Sequence, residues 1–255
     1  MWSAPDNPDP AAIRGDMRAA FAAGQYADAL AMQVWFHENA LLHRRSFGGV
    51  RLSYALCDWA DLAVQYPPAL ARLIATRDAA AAEPAAERFG SSAMHDLTAI
   101  NELLGAEAET VAVFDRIERE QPDFAATAFL FCRTALLKLR LYDRVLRYLQ
   151  PEADLDRLIH LHDLQCELVR SGRCADDLLS YAEDSYRDGC ATLVALLVIG
   201  KRNREADDIA RRARAYRSDD RIDAALTAAL NGVVPEQRGT RVHAELQRLA
   251  ATRPQ

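Results

Sequence analysis

The chain has 255 residues, a formal net charge of −6 and an isoelectric point near 5.6, and half of its residues are hydrophobic. That length suffices for one elongated domain or two small ones with a real core, and the composition excludes a disordered chain. The acidic balance argues against a nucleic-acid binder, which would carry a basic face; it is compatible with steering toward a basic protein partner.

Alanine and leucine dominate while β-branched and aromatic residues are scarce, which favours helices over strands. Asp9 or Pro10 opens a first helix that runs to about Ala22, and Gly24 separates it from a second, about Tyr26 to His43. In that second segment Tyr26, Leu30, Val34 and Leu41 share one side, widened by Ala29, Met32, Phe36 and Ala40 at spacings of three and four. Gly48-Gly49 is expected to break the chain. A third helix then runs from about Val50 to Tyr66 and stops at Pro67-Pro68, where proline can begin the next helix but not continue the last. A fourth follows to about Ala82. Pro84 ends it, and Gly90-Ser91-Ser92 begins afresh with N-cap chemistry. No stretch alternates with a period of two, so no strand is expected. The resulting organisation is an N-terminal helical block over 9–82, a linker over 83–92, repeats over 93–232 and a capping helix over 240–251.

Internal repetition gives the strongest signal. Gly24-Gln25-Tyr26-Ala27-Asp28-Ala29-Leu30 has the small residue and helix opening of an inter-helix turn, and Leu104-Gly105 followed by Phe114, Ile117 and Pro122 fits the same frame. Leu141-Tyr142-Asp143-Arg144-Val145-Leu146 fits without the glycine, Gly172-Arg173-Cys174-Ala175-Asp176-Asp177-Leu178 follows, and Asn203-Arg204-Glu205-Ala206 continues the series. The aligned turn positions 105, 140, 172 and 201 lie 35, 32 and 29 residues apart. This pattern resembles the tetratricopeptide repeat (TPR) family, which pairs two helices in about 34 residues. The resemblance implies a right-handed α-solenoid of antiparallel helix pairs within an all-α fold. Met94-His95-Asp96-Leu97 and Leu161-His162-Asp163-Leu164 lie 67 residues apart, close to two repeat lengths, and support the same register.

The N-terminal block carries a further resemblance. Trp35-Phe36-His37 with Ala40-Leu41, Gly49-Val50-Arg51, Ser53, Trp59, Leu62, Tyr66-Pro67-Pro68-Ala69-Leu70 and Arg77-Asp78 look like a bacterial TPR-like family of unassigned function. It implies a bacterial origin and a helical fold and carries no activity with it.

Few residues fall into patterns that carry chemistry. There is no Gly-x-Gly-x-x-Gly, no Walker-type Gly-Lys-Ser/Thr and no Gly-x-Ser-x-Gly. His160 and His162 are two apart and His37 and His43 six apart, and each pair diverges on a helix, so neither is expected to chelate a metal. No cofactor and no metal site is expected, and no enzyme. The five cysteines, Cys57, Cys132, Cys166, Cys174 and Cys190, contain no Cys-x-x-Cys pair and read as buried small hydrophobes of a cytoplasmic protein. No signal peptide is expected from the first residues, and the longest apolar run, Cys190 to Ile199, is too short to span a membrane.

Two groups of residues stand out as contact candidates. His37, Arg51, Asp58, Arg77 and Asp78 sit among Trp35, Tyr54, Trp59 and Tyr66. An arginine stacked on aromatics and forked onto a carboxylate is a recognition element; the same parts also make a buried ion-pair network that fixes helix packing. By the repeat register, His95, Glu102, His162 and Arg170 face the concave groove of a solenoid, the default surface for a partner. The first functional expectation is a non-catalytic protein-binding scaffold or adaptor whose partner is another protein. A narrower form is an immunity protein that neutralises a bacterial toxin. The alternative is a peptide- or small-molecule-binding regulatory repeat protein.

Overall fold

The computed structural model describes residues 2–172, 177–237 and 244–251. Among them, helices account for nearly all regular structure, so the protein is all-α. Contacts divide the chain into two compact units, one ending at Ala135 and including the last helix, the other covering Leu136–Gln237. The Cys174 segment of the fourth repeat match, and residues 240–243 of the capping helix, lie outside the described residues.

The first unit holds α1 (Pro10–Ala22), α2 (Tyr26–His43), α3 (Gly48–Arg51), α4 (Tyr54–Gln65), α5 (Pro67–Ala82), α6 (Ala93–Leu104), α7 (Glu107–Glu120), most of α8 (Pro122–Lys138) and, at the far end of the sequence, α14 (Ala244–Ala251). Local chemistry sets several of these limits. The Asp9 side chain accepts from Ala11 N–H at 3.1 Å and Pro10 occupies the first turn, so α1 starts where an N-cap and an N1 proline coincide. Pro67 likewise opens α5 as Tyr66 leaves α4 in an extended conformation.

The single helix expected over 50–66 is instead broken. Gly48 and Gly49 lie inside the one-turn helix α3, behind a 3-10 turn at Arg45–Phe47, and the break falls at Leu52-Ser53. Ser53 Oγ donates to Gly49 O at 2.6 Å and takes φ −129°, ψ −91°, ending α3 so that Arg51 points inward. A second departure lies after Pro84. The segment expected to be a strandless linker contains a two-residue hairpin, β1 (Glu87–Arg88) paired antiparallel with β2 (Ser91–Ser92). Phe89 and Gly90 form its turn with φ of +52° and +74°, the conformation that suits the strand twist of a tight hairpin. Strands this short display no alternation, so pattern reading misses them. Ser92 precedes α6 but its side chain makes no cap bond. The segment 83–92 therefore lies within the first unit.

The core of this unit gathers Leu56, Trp59 and Leu62 of α4, Leu73 of α5, Ile100 and Leu103 of α6, and Leu246 of α14, each at most 1 % exposed. Trp59 is tolerated there because its indole N–H donates to Ala69 O at 3.1 Å. Helix α14 packs on α4 and α6 through Leu246, so it completes the core of the first unit; the expectation that it caps the repeats ending at 232 is corrected by this contact.

The second unit contains α9 (Tyr142–Tyr148), α10 (Pro151–Arg170), α11 (Asp177–Ile199), α12 (Asn203–Tyr216) and α13 (Asp220–Leu230). Helix α11 is central and packs on α9, α10, α12 and α13. That explains its apolar run: Cys190, Ala191 and Leu193 through Leu197 are fully buried, since a helix covered on every side needs no polar face. The Thr192 hydroxyl in that run donates to Asp188 O at 2.7 Å.

One corner recurs in both units. Gly24, Arg140 and Lys201 have φ of +74°, +56° and +59°, while Gly105 and Gly172 share +68° and Gly232 has +78°. At Gly24, Gly105, Arg140, Lys201 and Gly232 the left-handed residue donates to the carbonyl three back, and its successor to the carbonyl five back. This is the Schellman closure, which satisfies carbonyls that the last helical turn leaves open. After Gly24, Gly105, Arg140 and Lys201 the next helix starts two residues on. The pairs α1/α2, α6/α7 and α11/α12 pack together across such corners. All four turn positions aligned from the sequence, 105, 140, 172 and 201, are left-handed.

Candidate functional site

The polar residues of the N-terminal block converge on one buried guanidinium. Arg51 is fully buried at the end of α3. Its Nη1 and Nη2 fork onto Asp96 Oδ1 and Oδ2 of α6 at 2.5 and 2.8 Å, and its Nε donates to His37 O of α2 at 2.5 Å. Nη2 also reaches His37 Nε2 at 3.0 Å. A guanidinium has no acceptor, so Nε2 accepts and the imidazole proton resides on Nδ1, a buried nitrogen with no protein partner. His37 is 1 % exposed, and burial lowers its pKa below the usual histidine value, favouring this neutral ring. Burial works to raise the Asp96 carboxyl, but the hydrogen bonds and charge of Arg51 outweigh it and hold Asp96 below the ordinary carboxylate range.

Aromatic rings close the cluster. Trp59 meets the His37 ring edge-on at 5.5 Å and Phe89 does so at 5.9 Å; the Arg51 guanidinium carbon lies 5.8 Å from the Phe89 centroid. The hairpin thus folds Phe89 over an ion pair that ties α3 to α6. Gly90 lies close against α2, where a Cβ would come 3.3 Å from Leu41 Cβ.

Of the residues singled out from the sequence, the structure brings His37, Arg51 and Trp59 together, and it adds Asp96 and Phe89. Asp96 was visible only as part of a repeat match, and Phe89 carried no signal. The others lie elsewhere in the first unit. Asp58 pairs with Arg14 and Arg18 of α1, with closest approaches of 2.7 and 2.9 Å. Trp35 is half-buried, stacked on His43 at 5.6 Å and met edge-on by Trp2 at 6.5 Å. Tyr54 is 64 % exposed. Arg77 is held by Asp78 at 2.7 Å and by Glu109 of α7, and Asp78 is exposed. His95 is exposed with its ring against Phe131 at 5.5 Å, and Glu102 is half-buried.

In the second unit, Arg170 is exposed and pairs with Glu167 at 3.1 Å. His162 does not open onto a surface: it is 6 % exposed, between Tyr186 at 5.4 Å and Tyr216 at 5.6 Å. The Tyr216 hydroxyl donates to Asp163 Oδ1 at 2.7 Å, so it accepts from His162 Nδ1, also at 2.7 Å. Burial, followed by the Asp163 hydrogen bond and charge, pushes the Tyr216 phenol well up. The two His-Asp matches are consequently not equivalent, since Asp96 but not His95 is buried, and His162 but not Asp163. Cys132 and Cys190 are buried, Cys57 and Cys166 half-buried, and none of these four is in a disulfide. Burial raises the Cys190 thiol to about 12, which keeps it protonated. Among the described residues no group of three or more His, Cys, Asp or Glu side chains is arranged to hold a metal ion, and no helix is long and apolar enough to cross a membrane.

No protein-family model, no curated protein and no solved structure matches this chain.

Proposed function

We propose that the protein is a non-catalytic binding scaffold, a right-handed solenoid of TPR-like helix pairs whose partner is another protein. The observation that supports this reading is the left-handed corner that recurs at 105, 140 and 172 with two helices in each interval, together with the packing of α1 on α2 and of α6 on α7 across such corners. Helices stacked through one repeated corner present a continuous row of surface side chains, which is how repeat architectures bind macromolecules. The strongest polar constellation, Arg51 with Asp96 and His37, is consumed internally and sets geometry. Partner contact falls to side chains that reach solvent: Trp35, Tyr54, Arg77, Asp78, His95 and Glu102 in the first unit, and Arg170 in the second.

The test is affinity capture of the tagged chain from its native host, in parallel with Tyr54→Ala and His95→Ala. A stoichiometric protein recovered with the parent chain and lost from a folded variant supports the scaffold. Recovery of free protein alone under gentle conditions refutes it. Toxicity of the captured partner by itself, relieved on co-expression, narrows the scaffold to an immunity protein.

A further inference from the structure

A cavity of about 730 Å³ opens in the second unit, between the corner that follows α8 and the segment that follows α13. Its size falls in the range of small-ligand sites, roughly 300–1,000 Å³. Its lining includes Lys138, Arg140 and Tyr142, at alternate positions through the corner, and Val234, Pro235 and Glu236 from the segment after α13. Among the described lining residues Lys138 and Arg140 are cationic and Glu236 is acidic, in a chain whose formal charge is −6.

The backbone provides an independent observation. Among the described residues, six helix ends place a residue in the left-handed region; four of these residues are glycine, and the exceptions are Arg140 at φ +56° and Lys201 at φ +59°. The left-handed conformation costs a residue with a Cβ about 1–2 kcal/mol. Arg140 therefore keeps a side chain where glycine serves the corner better, and the side chain it keeps lines the cavity. Unfavourable backbone retained beside a concave site points to a role for the group it presents. Lys201 keeps the same conformation outside this cavity lining, where the helix dipole alone rewards a cation; Arg140 differs in that its side chain also lines the cavity.

We propose that this cavity binds a carboxylate-bearing ligand. The Arg140 guanidinium forks onto the carboxylate, and the hydrocarbon part of the ligand rests on Val234 and Pro235. The planar fork of arginine matches a carboxylate with two parallel hydrogen bonds, and the Tyr142 hydroxyl adds a donor beside it. A peptide C-terminus and an acidic side chain share this chemistry.

Isothermal titration calorimetry with three probes tests it: N-acetyl-Ala-Leu-Ala with a free C-terminus, the same peptide amidated, and an amidated peptide with Glu in place of Leu. Heat from the free-carboxylate peptide alone assigns a C-terminus; heat from the Glu peptide as well extends the site to acidic side chains. Arg140→Gly removes the fork while giving the corner its preferred residue, so the unfolding midpoint holds or rises as affinity falls about tenfold or more. Arg140→Asn, also tolerated at positive φ, loses affinity likewise, while Lys201→Gly leaves it unchanged. Equal binding of the neutral amidated peptide, binding that survives Arg140→Gly, or no heat from either carboxylate peptide overturns the proposal. The site stands apart from the scaffold reading, since peptide titration and partner capture fail independently.

Discussion

Replacing Asp96 by Asn tests whether the Arg51 pair holds the first unit together. The substitution keeps the shape of the side chain but leaves the Arg51 guanidinium, at 0 % exposure, without a countercharge. Breaking a buried ion pair from one side costs about 3–5 kcal/mol, because the remaining charge stays desolvated. That is a large share of the roughly 5–15 kcal/mol by which a domain is stable. Removing both charges, as in Arg51→Met with Asp96→Leu, takes away the desolvation penalty together with the attraction, so much of the lost stability returns. The assay is urea unfolding followed by tryptophan fluorescence. All three tryptophans, Trp2, Trp35 and Trp59, belong to the first unit, so the signal reports this unit alone. With a slope of about 1–3 kcal/mol per molar urea, the expected loss moves the midpoint down by a molar or more. An unfolding free energy for Asp96→Asn within about 0.5 kcal/mol of the parent chain, a difference ordinary for surface changes, would refute the assignment. So would a double variant no more stable than the single one.

Acid should weaken the same unit in two stages. The folded His37 pKa is lowered by burial, so the unfolded chain binds the extra proton first; stability is full above about 6.5 and declines as pH falls toward the folded value. Asp96 is held below its ordinary value of about 3.9, so its contribution is present above that pH and is lost as pH falls through the folded pKa. His37→Gln should flatten the first stage and spare the second, as read by urea midpoints across pH; an unchanged first stage would discount His37. Leu246→Ala removes a fully buried side chain from the contact of α14 with α4 and α6, and should lower the tryptophan-reported stability by about 2–5 kcal/mol. A fluorescence transition insensitive to that change would place α14 outside the first core.

Much of the secondary structure was legible because it depends on neighbours a few residues away. Asp9 with Pro10, Pro67, and the limits Tyr26–His43 follow from capping, proline sterics and apolar spacing, and the structure reproduces them. The corners at Gly105 and Gly172 were readable from residue type. Those at Arg140 and Lys201 were readable only from spacing, since neither residue announces a positive φ. The N-terminal polar residues were legible as a set but not as a site. Which carboxylate takes Arg51 depends on Asp96, 45 residues away, and not on the nearer Asp58 or Asp78.

The sequence by itself determined an all-α chain and the places where its helices start and turn, because capping, proline sterics and left-handed corners act within a turn or two of backbone. Only the tertiary structure decided which polar groups are buried, that Phe89 covers the ion pair from a two-residue hairpin, and that α14 joins the first unit. Only the tertiary structure, too, divided the chain within α8. These outcomes depend on burying apolar area and pairing charge between segments far apart in sequence, and no local pattern encodes the partner.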